Sequence, residues 1–201
     1  MKNIAEILLE TQAVKLSPEN PFKFASGILS PIYCDNRVII SYPEKRKIIR
    51  DGFAKLIEKF NLEFDVIAGT ATAGIPHAAW LSELLDKPMV YVRGESKSHG
   101  RKNRIEGVVK KGDRVLIVED LVSTAGSLIS VVEALREEEC IVDDCIAIFS
   151  YGMKKGIDNL RNSKINLYTL ENFENLIETA VKTGYIKEKD VETVMKWKEG
   201  Q

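Results

Sequence analysis

Long apolar runs are absent from this 201-residue chain, in which no stretch approaches the roughly 18 apolar residues of a membrane-spanning helix. A charge excess is missing too, because 29 Lys and Arg residues face 30 Asp and Glu residues. The first absence argues against a membrane protein. The second gives no support for a chain that binds nucleic acid through its overall charge. The length suits a single domain, 1–201.

Cysteine is scarce, and Cys34, Cys140 and Cys145 lack CxxC spacing. This predicts reduced, unpaired thiols rather than a disulfide framework or a metal site. The N-terminal stretch "MKNIAEILLETQAV" carries Glu6 and Glu10 among its apolar residues. A secretory signal should lack such acids, so we expect a short amphipathic helix and a cytoplasmic location.

Apolar runs of strand length alternate with helical periodicity along most of the chain. The alternation predicts an α/β fold with a central parallel sheet that helices cover on both faces. Residues 1–36 do not share this pattern, and we expect them to form a small lobe of helix and irregular or hairpin structure. The predicted strands are 64–69, 88–93, 113–120, 144–151 and 165–170, and the predicted helices are 43–60, 74–85, 125–139, 171–184 and 187–198.

The stretch "VLIVEDLVSTAGS", residues 115–127, combines a buried strand, an acid pair and a run of small or hydroxylated residues. In a parallel sheet, ligands bind at the carboxyl ends of the strands. A helix N-terminus presents unpaired N–H groups, and small residues let the backbone approach an anion closely. The segment after the acids therefore predicts a cradle for a phosphate.

The acids Glu119 and Asp120 would repel that phosphate, so they need a separate explanation. They suit ribose hydroxyls, or a Mg²⁺ ion that the phosphates also hold. A sugar phosphate satisfies both halves of the stretch. The alternative is a charged strand end followed by an ordinary N-cap at Ser123 or Thr124. The glycine fingerprints of dinucleotide and ATP sites are missing, which argues against a kinase.

The segment "GESKSHGRKNRIEG", residues 94–107, is polar and basic and has no apolar period. Its glycines can supply hinge freedom. It is long for a connection in a compact domain, which favours a mobile loop that closes over an anion. The alternative is a solvated basic surface, and this interpretation suits Arg101, Lys102 and Arg104 best.

Four segments of the chain resemble sequence motifs of a known enzyme family. Residues 115–127 resemble the phosphoribosyl-pyrophosphate (PRPP) motif of type I phosphoribosyltransferases. "FKFASGILSPIYCDNR" (22–37) is similar to the N-terminal signature of the orotate phosphoribosyltransferase family. "YVRGESKSHG" (91–100) resembles that family's mobile catalytic loop, and "GTATAGIPHA" (69–78) its pyrophosphate loop. The resemblance extends over essentially the whole chain in a consistent order.

The resemblance implies a type I phosphoribosyltransferase fold with an N-terminal hood and a Mg²⁺-dependent reaction. Orotate and PRPP would give orotidine 5′-monophosphate and pyrophosphate, a step in the synthesis of UMP. It also implies a homodimer in which loop residues reach the neighbouring subunit. The Mg²⁺ would be held mainly by PRPP, with no direct protein ligand. No nucleic acid or membrane partner is expected.

The resemblance also implies roles for individual residues. The catalytic residues that contact pyrophosphate would be Arg93, Lys97 and His99. Orotate would lie against Ser123, Tyr33 and Cys34, with Arg37 a candidate partner of its carboxylate on charge alone. The remaining PRPP contacts would be Thr70, Ala71, Thr72, Ala73, Glu119, Asp120, Leu121, Val122, Ser123, Thr124, Ala125, Gly126 and Ser127.

Four positions depart from the pattern. Gly94 stands where some members have a second lysine, and Ala25 and Ala73 also replace lysines. Gly152 replaces an arginine that contacts orotate, which leaves the partner of the orotate carboxylate open. A phosphoribosyltransferase acting on a purine or uracil is one alternative function. A regulator that keeps the fold as a PRPP sensor is another. His77 is expected to be structural.

Overall fold

The computed structural model of the chain describes residues 3–23, 27, 29–94 and 104–200. The strands are β1 (Val14–Leu16), β2 (Phe22–Lys23), β3 (Leu29–Ser30), β4 (Ile32–Cys34), β5 (Val66–Thr70), β6 (Met89–Val92), β7 (Ile105–Glu106), β8 (Val115–Val122), β9 (Asp144–Ser150) and β10 (Asn166–Asn172). The helices are α1 (Ile4–Glu10), α2 (Pro43–Phe60), α3 (Gly74–Leu85), α4 (Gly126–Glu137), α5 (Lys154–Asn162), α6 (Phe173–Lys182) and α7 (Val191–Glu199), with 3₁₀ turns at Asn36–Ser41 and Glu188–Asp190.

A six-stranded sheet of order β10-β9-β8-β5-β6-β7 forms the centre of the described chain. Its neighbouring strands pair in parallel from β10 to β6, and only the edge strand β7 pairs antiparallel. The predicted α/β class is confirmed. Because all five parallel strands end at one edge, the loops that follow β5, β6, β8 and β9 meet there.

Two apolar clusters cover the two faces of the sheet. One contains buried residues of α2, α3 and α6, with Phe53, Leu81 and Phe173 fully buried. The other joins α4 and α5 through side chains such as Val132 and Leu160. Each large side chain that leaves water contributes about 1.5–3 kcal/mol, so the clusters hold the helices against the sheet.

The N-terminal lobe has the hairpin character that was expected of residues 1–36. Strand β1 pairs antiparallel with β4, and β2 pairs antiparallel with β3. The C-terminal helix α7 reaches this lobe, because Trp197 Nε1 donates to the Leu29 carbonyl oxygen over 3.0 Å. The lobe is therefore anchored beside the carboxyl edge of the sheet.

Helices α2 and α3 occupy the predicted ranges, whereas other elements differ. Strand β8 continues to Val122, so the acid pair lies inside the strand rather than at its end. Strand β7 lies within the segment that was predicted as loop, 94–107. Helix α5 was not predicted, because its sequence "KKGIDNLRN" buries only Gly156 and Leu160. The helix predicted at 187–198 starts as a 3₁₀ turn.

The cysteines agree with the prediction from composition, since all three are free. Within the described ranges, no helix combines the length and the apolar character that crossing a membrane requires.

Candidate active site

The turn between β8 and α4 exposes a row of backbone donors. Ala125 adopts a left-handed conformation with φ 62°, and α4 begins directly after it. The first N–H groups of a helix have no intrahelical acceptor. Among the described residues, none accepts a hydrogen bond from the N–H groups of residues 124–128. These N–H groups lie in the turn for which the sequence predicts a phosphate cradle.

The cradle opens into a small cleft of about 60 Å³. Glu119 and residues 121–128 line this cleft. Every residue of the predicted motif from Glu119 to Ser127 except Asp120 therefore borders one space. The cleft places a buried carboxylate beside unpaired N–H donors, as a phosphorylated sugar requires.

The acid pair is largely shielded from water. Glu119 is 6% exposed, and the Asp120 N–H donates to Glu119 Oε1 over 3.0 Å. Burial, and then the charge of Asp120, raise the pKa of Glu119 well above its ordinary value. Burial also raises the pKa of Asp120. Two desolvated acids in contact favour ligands that donate hydrogen bonds or carry positive charge.

The end of β5 contributes a further polar group. Thr70 is buried, and its Oγ1 lacks a hydrogen-bond partner of normal geometry among the described residues. The hydroxyl approaches the Glu119 carboxylate closely enough to offset part of the rise in that group's pKa. The predicted pyrophosphate loop continues with Ala71, Thr72 and Ala73. It turns toward β6, because the Ala71 N–H donates to the Val92 carbonyl oxygen over 2.9 Å. The peptide bond between Ala71 and Thr72 is cis.

The predicted catalytic loop begins and ends at a paired stem. The Arg93 N–H donates to the Arg104 carbonyl oxygen over 2.8 Å, and the Arg93 guanidinium pairs with Glu106. Arg104 Nη2 donates to Ser130 Oγ on α4 over 2.8 Å, so this arginine anchors the stem. Lys97 and His99, the other predicted catalytic residues, lie outside the described residues.

The N-terminal lobe, or hood, contacts β8 at the acid pair. Asn36 is fully buried, and its Nδ2 donates to the Asp120 carbonyl oxygen over 2.7 Å. Cys34 has a raised pKa, caused by burial first and then by the charges of Asp120 and Asp35. Tyr33 is 37% exposed, with its ring 5.8 Å from that of Phe22. The hood therefore brings Cys34 near Asp120, whereas Tyr33 packs against Phe22.

Arg37 is already engaged within the hood. Its Nε and Nη2 donate to the two carboxylate oxygens of Asp35 over 2.6 and 2.7 Å. A ligand carboxylate would have to share this guanidinium with Asp35. Gly152 lies against another cation, since a Cβ at this position would be 3.3 Å from Lys198 Nζ. Lys198 in turn pairs with Glu174.

His77 packs in the core rather than at the cleft, in agreement with a structural role. It is 2% exposed, and its ring meets those of Phe53 and Trp80 edge-on at 6.4 and 5.4 Å. Burial lowers its pKa to about 4. The imidazole is therefore neutral at pH 7.

The sequence did not reveal that α5 supports the cradle. Asn159 Nδ2 donates to the Thr124 carbonyl oxygen over 2.8 Å. Gly156 lies so close to the turn that a Cβ there would be 2.2 Å from the Ser123 carbonyl oxygen. No local pattern marks these contacts, because they join residues about thirty positions apart on an element that the apolar period did not predict.

The chain is similar to proteins of known activity. The model of the phosphoribosyl transferase domain family matches residues 41–181. An orotate phosphoribosyltransferase of Coxiella burnetii is 54% identical over 194 residues, which cover 96% of this chain and 93% of that protein. One from Staphylococcus saprophyticus is 51% identical over 198 residues, or 98% of each chain. A solved structure of orotate phosphoribosyltransferase from Aeropyrum pernix matches with a TM-score of 0.79 at 28% identity, covering 92% of this chain and 99% of that one.

Proposed function

The chain belongs to the phosphoribosyltransferase family, and we propose that it transfers the ribose 5-phosphate group of PRPP to orotate. The products are orotidine 5′-monophosphate and pyrophosphate, in the synthesis of UMP. The observation that carries this proposal is the cleft beside β8. It combines unpaired N–H donors at residues 124–128 with the buried carboxylate of Glu119, next to which Asp120 follows on the same strand. Near-full-length similarity to orotate phosphoribosyltransferases supports orotate as the acceptor.

Each half of the cleft has a separate task in binding PRPP. The N–H groups of the turn donate to the 5-phosphate, helped by the positive end of the α4 dipole. Glu119 and Asp120 accept hydrogen bonds from the ribose hydroxyls. These bonds return part of the solvation that the acids lose on burial. The sugar is held at both ends, which fixes the position of C1.

Group transfer forms a bond from orotate N1 to ribose C1 and breaks the bond from C1 to a pyrophosphate oxygen. Positive charge develops on the ribose ring while negative charge develops on the leaving group. Arg93, Lys97 and His99 stabilise the departing pyrophosphate, with His99 able to donate a hydrogen bond or a proton. Orotate is already an anion, so alignment by the hood is the main requirement for its attack.

Mg²⁺ is part of this proposal. Its preferred ligands are oxygens, and it keeps several waters or phosphates rather than filling an all-protein cage. The described residues contain no group of three or more His, Cys, Asp or Glu side chains arranged to hold a metal. The two acids and the Thr70 hydroxyl beside Glu119 fit an ion that PRPP brings with it. When bound, the ion neutralises charge on the pyrophosphate.

The partner of the orotate carboxylate is proposed to be a cation at the carboxyl edge of the sheet. Arg37 is one candidate, although Asp35 occupies two of its donors. Lys198 supplies positive charge beside Gly152. The test is to measure the orotate KM of Arg37→Ala and of Lys198→Ala at saturating PRPP. The variant with the raised KM identifies the residue that binds the carboxylate.

The acceptor is tested by measuring turnover with PRPP and Mg²⁺ for orotate, uracil and hypoxanthine in parallel. We expect turnover with orotate only, and with no base when a chelator removes the Mg²⁺. Uracil or hypoxanthine used with comparable kcat/KM would overturn the choice of acceptor.

A homodimer and a cytoplasmic location are also proposed, and sedimentation at the assay concentration tests the dimer.

A further inference from the structure

Helix α5 holds the outer side of the phosphate cradle through two contacts of different kinds. Gly156 is a close approach, because a Cβ at that position would be 2.2 Å from the Ser123 carbonyl oxygen. Asn159, one turn later, donates from Nδ2 to the Thr124 carbonyl oxygen over 2.8 Å. Successive carbonyl groups of the turn therefore both point toward α5.

The direction of the Ser123 and Thr124 carbonyl groups sets the direction of the N–H groups that follow them. In a trans peptide the C=O and the following N–H point to opposite sides. When the carbonyls of Ser123 and Thr124 face α5, the N–H groups of Thr124 and Ala125 face the opposite way, toward the cleft. Both N–H groups lack an acceptor among the described residues.

This orientation needs support from outside the turn. Ala125 holds a left-handed φ of 62°, a conformation that the Cβ of any residue other than glycine disfavours. Five neighbouring N–H groups that lack an acceptor among the described residues also repel one another. A free turn would relax by rotating the peptide between Thr124 and Ala125.

We infer that Asn159 and Gly156 are positioning residues for the phosphate site. Gly156 lets α5 approach the turn, and Asn159 fixes the Thr124 carbonyl so that the Ala125 N–H meets the 5-phosphate. Neither residue touches the substrate. The inference rests on the proposed function, in that it takes the ligand of the cradle to be the 5-phosphate of PRPP.

The role has a signature that a general loss of stability would not produce. PRPP and orotidine 5′-monophosphate both carry the 5-phosphate, whereas orotate and pyrophosphate do not. Loosening the cradle should therefore raise the KM of PRPP in the forward reaction and that of orotidine 5′-monophosphate in the reverse reaction. The KM values of orotate and pyrophosphate should stay where they are.

The test compares Asn159→Ala with Asn162→Ala on the same helix. Asn162 is exposed, so its variant controls for the loss of an asparagine from α5. For Asn159→Ala we expect both phosphosugar KM values to rise about fivefold to tenfold, the effect of one hydrogen bond. The orotate and pyrophosphate KM values should change less than twofold, as should all four in the control.

A second variant distinguishes a positioning role from a general loss of folding. A second measurement keeps the result independent of which base is the acceptor. Asn159→Asp keeps the shape but replaces the donor with an acceptor, and it should raise the same two KM values further. Calorimetry with ribose 5-phosphate measures the cradle without orotate, and Asn159→Ala should weaken this binding by a similar factor. If the wild-type protein binds ribose 5-phosphate but does not use orotate, the proposed acceptor fails while this inference stands.

Two results would overturn the inference. In the first, Asn159→Ala binds ribose 5-phosphate as tightly as wild type. In the second, the four KM values rise together in proportion to a lowered unfolding midpoint, which is the behaviour of a residue that only stabilises the fold.

Discussion

At the scale of single residues, the burial of the acid pair makes the stability of the fold depend on pH. Glu119 and Asp120 lie together in a site that shields them from water, and the pKa of each is raised, chiefly by burial. Raised carboxyl pKa values mean that the folded state holds protons that the unfolded state has already lost. Stability should therefore fall as the pH rises from the ordinary range of a carboxylic acid through the raised values. A ligand that donates to these acids reverses the effect.

Glu119→Gln should make the unliganded protein more stable at pH 8, on the order of 1 kcal/mol, because a neutral amide replaces a buried charge. The gain should shrink as the pH is lowered toward 5, because the raised pKa of Glu119 makes the wild-type acid take up its proton earlier than an ordinary carboxyl group. Urea unfolding at the two pH values measures it. The same variant should raise the PRPP KM at least tenfold.

Glu137→Gln serves as the control for this substitution, because Glu137 is an exposed glutamate on α4. It should leave both the stability and the PRPP KM unchanged. A Glu119→Gln protein that is less stable than wild type at pH 8 would show that the surroundings of Glu119 satisfy its buried charge, and that the acid pair does not destabilise the unliganded fold.

Lys97 is the residue of the basic loop on which the rate should depend most. Lys97→Ala should lower kcat by about 10²-fold or more, the effect of removing one stabilising group at a developing charge. Lys102→Ala in the same loop is the matched control, and its kcat should remain near that of wild type. If the two variants both change kcat by less than about threefold, the loop is a solvated surface and takes no part in the reaction.

At the scale of elements, close backbone approaches hold the strands and helices around the cleft. Helix α3 begins at Gly74, where a Cβ would be 2.4 Å from the Val118 carbonyl oxygen on β8. Only a residue without a side chain permits this approach. The contact joins the helix after the pyrophosphate loop to the strand that carries the acid pair.

Gly74→Ala should therefore destabilise the protein by about 2 kcal/mol or more, since rigid backbone cannot move aside cheaply. Gly52→Ala on α2 is the comparison, because there a Cβ would meet only the end of the Leu170 side chain at 3.0 Å. That variant should cost less than about 1 kcal/mol. Unfolding in urea distinguishes them, and equal losses would mean that the approach at Gly74 is not rigid.

The elements that the sequence predicted best are those with a complete apolar pattern. Helices α2 and α3 have one, and their bounds match. Helix α5 was missed because it is polar: the face formed by Gly156, Asn159 and Leu160 has helical spacing, but Leu160 is its one large apolar side chain. The end of β8 was placed too early, since an acid pair in the middle of a strand is indistinguishable from a strand end until its neighbours are known.

At the scale of the whole molecule, the order of strands explains why a site could be predicted at all. Motifs that follow β5 and β8 lie far apart in sequence, yet parallel pairing brings their carboxyl ends to one edge. The sequence could not reveal contacts that depend on how the hood meets this edge. The bond from Asn36 Nδ2 to the Asp120 carbonyl oxygen, between residues 84 positions apart, is such a contact.

The central claim is that one edge of the sheet grips a phosphorylated sugar through bare backbone donors while adjacent acids hold its hydroxyls. A crystal structure of the protein with PRPP and Mg²⁺ tests it most directly. We predict that the 5-phosphate oxygens accept hydrogen bonds from the N–H groups of Thr124 to Ser127, with the ribose hydroxyls on Glu119 and Asp120. A 5-phosphate bound away from this turn would contradict the claim.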